Sequence, residues 1–242
     1  MTVEQGSVPR TALVAGGTGA LGGAVSDLLL RQGWRVAVPY RRDSDAVRSL
    51  RVRQAEAIAQ DRFRLTQGNA ADPDQMAALL DVVRADWGPL WLACSTAGGW
   101  AGGHDVVDTD DVTLLDRMVL TNLRTAFVVA REGLRHMGSD GGRIVVVGSG
   151  TVRRPASGQA AYTAAKAGLH SLVESLAEEL RGTGRTANGI VPGVIDTEEN
   201  RRTMPHSDRS RWVPPEALAK VVEFLASPAS WPVSGALIPV RG

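Results

Sequence analysis

Apolar positions along this chain follow two alternating rhythms. Short, nearly continuous apolar runs lie at 11–16 (TALVAG), 36–38 (VAV), 63–66 (FRLT), 90–94 (LWLAC), 143–149 (RIVVVGS), 186–191 (TANGIV) and 236–240 (ALIPV), and they read as buried strands. Helical patterns fill the gaps. Segment 19–31 carries a stripe of Leu21, Val25, Leu28 and Leu29, and segment 45–59 predicts a charged helix. Another helix opens at Pro73, a residue favoured in the first helical turn. One long helix is predicted over 110–137, and a further one follows Tyr162. Strands separated by helices imply parallel pairing with right-handed crossovers. The expected fold is therefore α/β, a single-domain doubly wound parallel sheet of about seven strands flanked by helices. No internal repeat or low-complexity linker divides 1–242.

Composition narrows the class. The apolar share of 43% and charged share of 22% suit a globular protein that buries a large core. A net charge of +1 gives no electrostatic case for nucleic acid or a membrane surface. One cysteine, Cys94, excludes an internal disulfide, and its WLAC surroundings read as a buried strand. The first residues, MTVEQGSVPR, have no apolar leader pattern, and no stretch is long enough to span a bilayer, so a cytoplasmic protein is expected. The four histidines, at 104, 136, 170 and 206, lack metal-ligand spacing, and no metal is expected.

The first strand runs into AGGTGALGG (15–23), with Gly16, Gly19 and Gly22 at three-residue spacing. A strand that turns sharply into a helix presents free N–H groups and a positive dipole end to a pyrophosphate, and glycines allow the close approach. The end of the second strand then decides between nicotinamide cofactors. A carboxylate there would bind the ribose hydroxyls of NAD. This chain offers Arg41 and Arg42, with no acid until Asp43. Two guanidiniums can clamp a 2′-phosphate, so NADP(H) is expected, with NAD(H) the alternative should Asp43 turn inward.

A proton-transfer motif follows. Tyr162 and Lys166, in AAYTAAKAGL (160–169), lie one turn apart on a helix face, and Ser149 ends the preceding apolar run. An ammonium beside the phenol is expected to lower its pKa from about 10, and the serine hydroxyl can polarise the oxygen that the Tyr protonates. An ordinary amphipathic helix with a solvated Lys is the alternative. The chain has only two Tyr and two Lys, and the motif takes one of each.

These pieces, in this order, resemble the short-chain dehydrogenase/reductase family over nearly the whole chain, with dihydropteridine reductase-like members nearest within it. Ser149, Tyr162 and Lys166 match the family's catalytic serine and Tyr-x-x-x-Lys motif, and Asn122 in VLTNL (119–123) matches its fourth catalytic residue. STAG (95–98) stands where the family carries Asn-Asn-Ala-Gly, and PGVIDT (192–197) where it carries a Pro-Gly turn. The resemblance implies a Rossmann-type domain in which Gly16, Thr18, Gly19, Ala20, Leu21, Gly22, Arg41, Arg42, Asn69, Ala70, Ala97, Gly98, Tyr162, Lys166, Pro192, Gly193, Ile195 and Thr197 bind the nucleotide. Two positions depart from the family pattern: Ala20 replaces the middle glycine of the turn, and Asn69 replaces the Asp that contacts adenine. AGGWAGG (97–103) and SGALIPV (234–240) are the segments similar to dihydropteridine reductases, which lack the catalytic serine and carry an acid after the second strand.

By this resemblance Tyr162 supplies a proton, Lys166 holds the nicotinamide ribose and lowers the Tyr pKa, Ser149 stabilises the alkoxide, and Asn122 links Lys166 to solvent. The expected activity is NADP(H)-dependent reduction of a ketone or related C=O/C=N group of a small cyclic substrate. Quinonoid dihydropterin reduction is the first alternative, and NADP(H) sensing without turnover the second. The polar stretch 198–213 has no strand period and reads as a mobile substrate lid. Trp100, Met204, His206 and Trp212 are its candidate substrate contacts. Helix 110–137 and the helix after Tyr162 carry wide apolar faces, including Phe127, Val128, Leu134, Leu169, Leu172 and Leu176. In the resembling family these helices pair across a two-fold axis, so a homo-dimer or homo-tetramer is expected.

Overall fold

The computed structural model describes residues 9–108 and 112–242. The stretch read for a leader, apart from its last two residues, and the first two positions of helix 110–137 lie outside the described residues. Seven strands form one sheet: β1 (Thr11–Ala15), β2 (Arg35–Tyr40), β3 (Phe63–Gln67), β4 (Leu90–Ser95), β5 (Gly142–Val147), β6 (Arg185–Pro192) and β7 (Leu237–Val240). Their order is β3-β2-β1-β4-β5-β6-β7, and every pairing is parallel. The strand order reverses direction between β1 and β4, where a doubly wound sheet opens a crevice at its carboxyl edge.

Both faces of the sheet are covered, which is why its central strands read as continuous apolar runs. Ala12 and Val14 of β1 point into one core with Leu21, Val25 and Leu29 of α1 (Ala20–Arg31) and Leu218 and Val222 of α9 (Pro215–Ala226). Leu13 and Ala15 point into the other, with Met76 and Leu80 of α4 (Pro73–Trp87), Val129 of α6 (Thr125–His136) and Leu169 and Val173 of α7 (Ala160–Glu179). Asp72 caps α4 by accepting the N–H groups of Asp74 and Gln75 at 3.0 and 3.1 Å, and Pro73 follows as its first residue. Cys94 is fully buried in β4, and desolvation pushes its thiol up to about 12. It is an inert core side chain.

Two expected elements differ. The charged helix over 45–59 is two helices, α2 (Asp45–Arg53) and α3 (Ala55–Ala59), broken at Gln54, whose backbone leaves the helical region while its side chain bonds to Asp27 of α1. The long helix over 110–137 starts as α5 (Thr113–Met118), widens to a π-helical turn at Val119–Arg124, and resumes as α6. Thr125 marks the extra residue: both its N–H and its hydroxyl reach back five positions to the Leu120 carbonyl. Within the wide apolar faces expected on these helices, Val128, Leu169 and Leu176 are buried against the sheet, while Phe127 is half exposed.

Candidate active site

The carboxyl edge of the sheet gathers the predicted residues at the exits of six strands. The turn after β1 is built for a close approach. Gly16 takes a left-handed φ of +85°, and a Cβ on Gly22 would fall 2.3 Å from the Gly16 carbonyl oxygen. Thr96, at the exit of β4, ties this turn to its neighbour by donating its hydroxyl to the Ala15 carbonyl at 2.9 Å. Helix α1 begins there with Gly19 as its cap and no acidic residue in its first turn. Its leading N–H groups are thus left for an anion, so the turn fits a nucleotide pyrophosphate.

At the end of β2 the two arginines and the acid part company. Arg41 and Arg42 are exposed, and among the described residues neither makes an ion pair. Asp43 is occupied: one carboxylate oxygen accepts the Ser44 N–H at 3.0 Å and the other meets Arg48 at 3.4 Å. Asn69, after β3, turns its side-chain oxygen back onto the Ala71 N–H at 3.1 Å, with Ala70 between them.

The loop after β4 is held by Asn122. This amide is fully buried in the π-helical turn. It donates to the carbonyls of Gly99 and Met118, both at 3.0 Å, and accepts the Gly99 N–H at 3.3 Å. Gly98 is wedged between it and Lys166: a Cβ there would lie 2.9 Å from Asn122 Oδ1 and 3.4 Å from Lys166 Nζ. Ala97 packs beside Gly16 at the same edge.

Ser149, Tyr162 and Lys166 converge as the spacing implied. Ser149 is buried; its hydroxyl bonds to Thr151 Oγ1 at 2.9 Å and accepts the Thr151 N–H at 3.3 Å. Lys166 is buried on α7 and donates to the Val147 carbonyl at 2.7 Å, with Nζ 5.9 Å from the centre of the Tyr162 ring. Desolvation lowers its pKa to about 8. The expected lowering of Tyr162 is not what the structure gives. Burial raises its pKa above the ordinary 10, and only the nearby Ser149 hydroxyl opposes that rise. The ammonium donates to the Val147 carbonyl, and among the described residues no hydrogen bond joins it to the phenol oxygen. Burial thus favours the protonated form of the Tyr162 phenol.

The exit of β6 carries Pro192 and Gly193, whose N–H bonds to Val240 at 3.0 Å. Ile195 then bridges Val213, and Thr197 caps α8 (Glu198–Thr203) by accepting the Asn200 N–H at 3.1 Å. The Thr197 hydroxyl hydrogen stays available to a ligand. The stretch expected to form the lid holds a short helix and side-chain bonds of its own. Arg201 grips Asp196 with two bonds of 2.6 and 2.7 Å, and Arg209 bonds to the Arg201 carbonyl at 3.4 Å. Trp212 is 7% exposed beneath Arg209, and Val213 joins the core. Met204 is half-buried, His206 is exposed and Trp100 is 59% exposed, its ring against Gly102.

Sequence reasoning missed two residues here, Thr96 and His170. The buried His170 accepts the Ser149 N–H on Nε2 at 3.4 Å. Its place in the helix, one turn beyond Lys166, was the available signal. Among the described residues no cluster of His, Cys, Asp or Glu could hold a metal, and no helix is long and apolar enough to cross a membrane.

The sheet order, the glycine turn and the Ser–Tyr–Lys–Asn group together define a nucleotide-dependent oxidoreductase of the short-chain type. Residues 10–208 match the family model "short chain dehydrogenase", and the chain belongs to that family. It is 30% identical to a versicolorin reductase of Emericella nidulans, over 96% of this chain and 94% of that protein. It is 27% identical to a dihydropteridine reductase of Dictyostelium discoideum, over 95% and 93% respectively. Among solved structures, a blue fluorescent protein from a metagenomic library in complex with NADPH superposes with a TM-score of 0.82 at 27% identity, covering 96% of each chain.

Proposed function

We propose that this oxidoreductase uses NADPH to reduce a ketone, or a related imine, of a small cyclic substrate. The observation that carries the reading is the pairing of the half-buried Tyr162 with the buried Ser149 at the edge where the glycine turn would seat the nucleotide. The bound nicotinamide supplies the hydride. Tyr162 gives its proton to the substrate oxygen, and the Ser149 hydroxyl donates to the same oxygen as charge develops on it. The same groups serve both directions, Tyr162 as acid in reduction and its phenolate as base in oxidation, and the reductive reading rests on the NADPH preference argued below. Lys166, still mostly charged at neutral pH, stands over the Tyr162 ring to hold the ribose and return a proton. Asn122 fixes the backbone at Gly99 and shares the space around Gly98 with Lys166, which suits a relay from Lys166 toward solvent.

The NADPH preference rests on Arg41 and Arg42 standing exposed while Asp43 is turned to Ser44 and Arg48. The acid that would select NAD is engaged elsewhere. Oligomerisation is supported by apolar side chains open along α5 and α6: Leu115, Leu120 and Phe127 are 40, 46 and 51% exposed. A monomeric mass at micromolar concentration would remove that part of the reading. The substrate is tested by following nucleotide oxidation with cyclic ketones, cyclic imines and quinonoid dihydropterin, each with NADPH and NADH. A ketone or imine with NADPH should give the highest kcat/KM. If dihydropterin wins by about tenfold or more, and Ser149→Ala leaves that activity intact, the pterin reading replaces this one.

A further inference from the structure

Behind Ser149 lies a polar side chain that the reaction above leaves without a role. His170 is buried on α7, one turn beyond Lys166, and its Nε2 accepts the Ser149 N–H at 3.4 Å. The residue before Ser149 makes room for the ring: a Cβ on Gly148 would fall 2.5 Å from His170 Nε2 and 2.9 Å from its Cδ2. The Gly148 N–H itself bonds to the Ile190 carbonyl of β6 at 2.8 Å. Two successive peptide N–H groups at the exit of β5 are thus held by different elements, one by the sheet and one by an imidazole. The direction of the Ser149 side chain depends on that backbone, since Cβ geometry follows φ and ψ.

We infer that His170 is a positioning residue, whose unprotonated Nε2 holds the Ser149 backbone so that its hydroxyl faces Tyr162, and whose protonation releases that hold. The inference rests on the reading of Ser149 proposed above. An imidazolium carries hydrogens on both nitrogens and cannot accept from an N–H. Protonated His170 would set a donor against a donor at Ser149. The charged groups around the ring are Lys166 and Glu174 on its own helix and Arg153 in the turn after β5. Burial lowers its pKa below the ordinary 6.5, Lys166 and Arg153 lower it further, and Glu174 opposes them. The neutral ring therefore persists at neutral pH, and the hold fails only as the medium becomes distinctly acidic.

The test compares wild type, His170→Gln and His170→Leu for kcat and KM from about pH 5 to pH 8, the range of histidine titration. Gln offers an amide oxygen at a similar reach and does not titrate; Leu offers no acceptor. The Leu variant should lose about tenfold in kcat, the scale of one lost hydrogen bond, with the nucleotide KM little changed. Gln should recover most of that loss and flatten the acid limb of the wild-type profile. An acid limb that persists unchanged in His170→Gln overturns the inference, and so does a wild-type kcat in both variants. Should His170→Leu fail to fold, the Gln profile alone decides. Nitrogen NMR of the imidazoles, assigned by loss of one signal in His170→Gln, reads the same point without turnover. A bare Nε2 at neutral pH supports the hold, and a protonated one refutes it. Wild-type protein that shows a bare Nε2 but reduces no ketone or imine would instead sink the proposed function and leave the hold standing.

Discussion

The two halves of the site are built from different material. The nucleotide half, from β1 through α1 to the end of β2, is backbone and solvent-facing charge: a glycine turn, an uncapped helix start, and two exposed arginines. The catalytic half, from β4 through α7, is buried side chain. Asn122, Ser149, Lys166 and His170 are each less than a tenth exposed; Asn122, Lys166 and His170 bond to backbone of a neighbouring loop or strand, and Ser149 to that of its own turn. A half made of backbone and surface charge should tolerate substitution with graded loss of affinity. A half made of interlocked buried polar groups should fail in turnover when one member moves, because its geometry is set jointly.

The sharpest break is Tyr162→Phe. It removes the proton donor but keeps the ring under Lys166, so turnover should fall by roughly 10²–10⁴-fold with NADPH affinity nearly unchanged. Stopped-flow turnover beside a nucleotide titration checks both. Near wild-type turnover would remove Tyr162 from its role.

The second prediction concerns the cost of burying Lys166. Its folded-state pKa of about 8 lies below the ordinary 10.5. Between those two values the unfolded chain binds the proton and the folded one does not, so stability rises with pH across that window. Relative to Lys166→Met, wild type should gain up to about 3 kcal/mol as pH climbs from about 8 toward 10.5. Denaturation midpoints of both proteins at the two ends of the window show it. A difference that is flat with pH would mean that the ammonium is not desolvated.

Most of the nucleotide half was legible in the sequence because its information is local. The glycine spacing, the helix start and the arginines lie within a few residues of the strands they follow, and periodicity placed those strands. In the catalytic half the residue types and spacings were legible, but their environment was not. VLTNLR keeps an unbroken helical pattern, so nothing announces that the helix widens there to seat Asn122. The sign of the Tyr162 shift depends on how deeply α7 packs, which no spacing reports. His170 read as an unremarkable histidine because its partners, Gly148 and Ser149, come from another strand. Trp212 sits in a polar, Arg-rich stretch, yet Val213 is drawn into the core by its pairing to Val194 and takes Trp212 inward with it.

A smaller perturbation separates geometry from chemistry in the catalytic half. Gly98→Ala deletes no catalytic side chain but inserts a methyl between Asn122 and Lys166 that must push them apart. A displacement of that kind should lower kcat by about 10- to 100-fold, with little change in nucleotide KM. Wild-type turnover in this variant would show that the relay tolerates movement and weaken the contrast between the halves.

The smallest expected effect lies in the nucleotide half. Replacing Arg41 and Arg42 with Ala should weaken NADPH more than NADH and shift the preference by somewhat more than tenfold, the net loss of about one charge-assisted bond at about 1.5 kcal/mol. Equal affinity of the unmodified protein for both nucleotides would refute the clamp.

The independence of the two halves can be read in one double-mutant cycle. It measures kcat/KM with saturating substrate and varied NADPH for wild type, Arg41→Ala/Arg42→Ala, Tyr162→Phe and the combined variant. If the arginines act only on the 2′-phosphate and Tyr162 only on the proton, the losses in the combined variant add to within about 0.3–0.5 kcal/mol. A coupling well beyond that, with the arginine change costing little once Tyr162 is gone, would show that nucleotide grip and proton transfer are one event and would contradict the account.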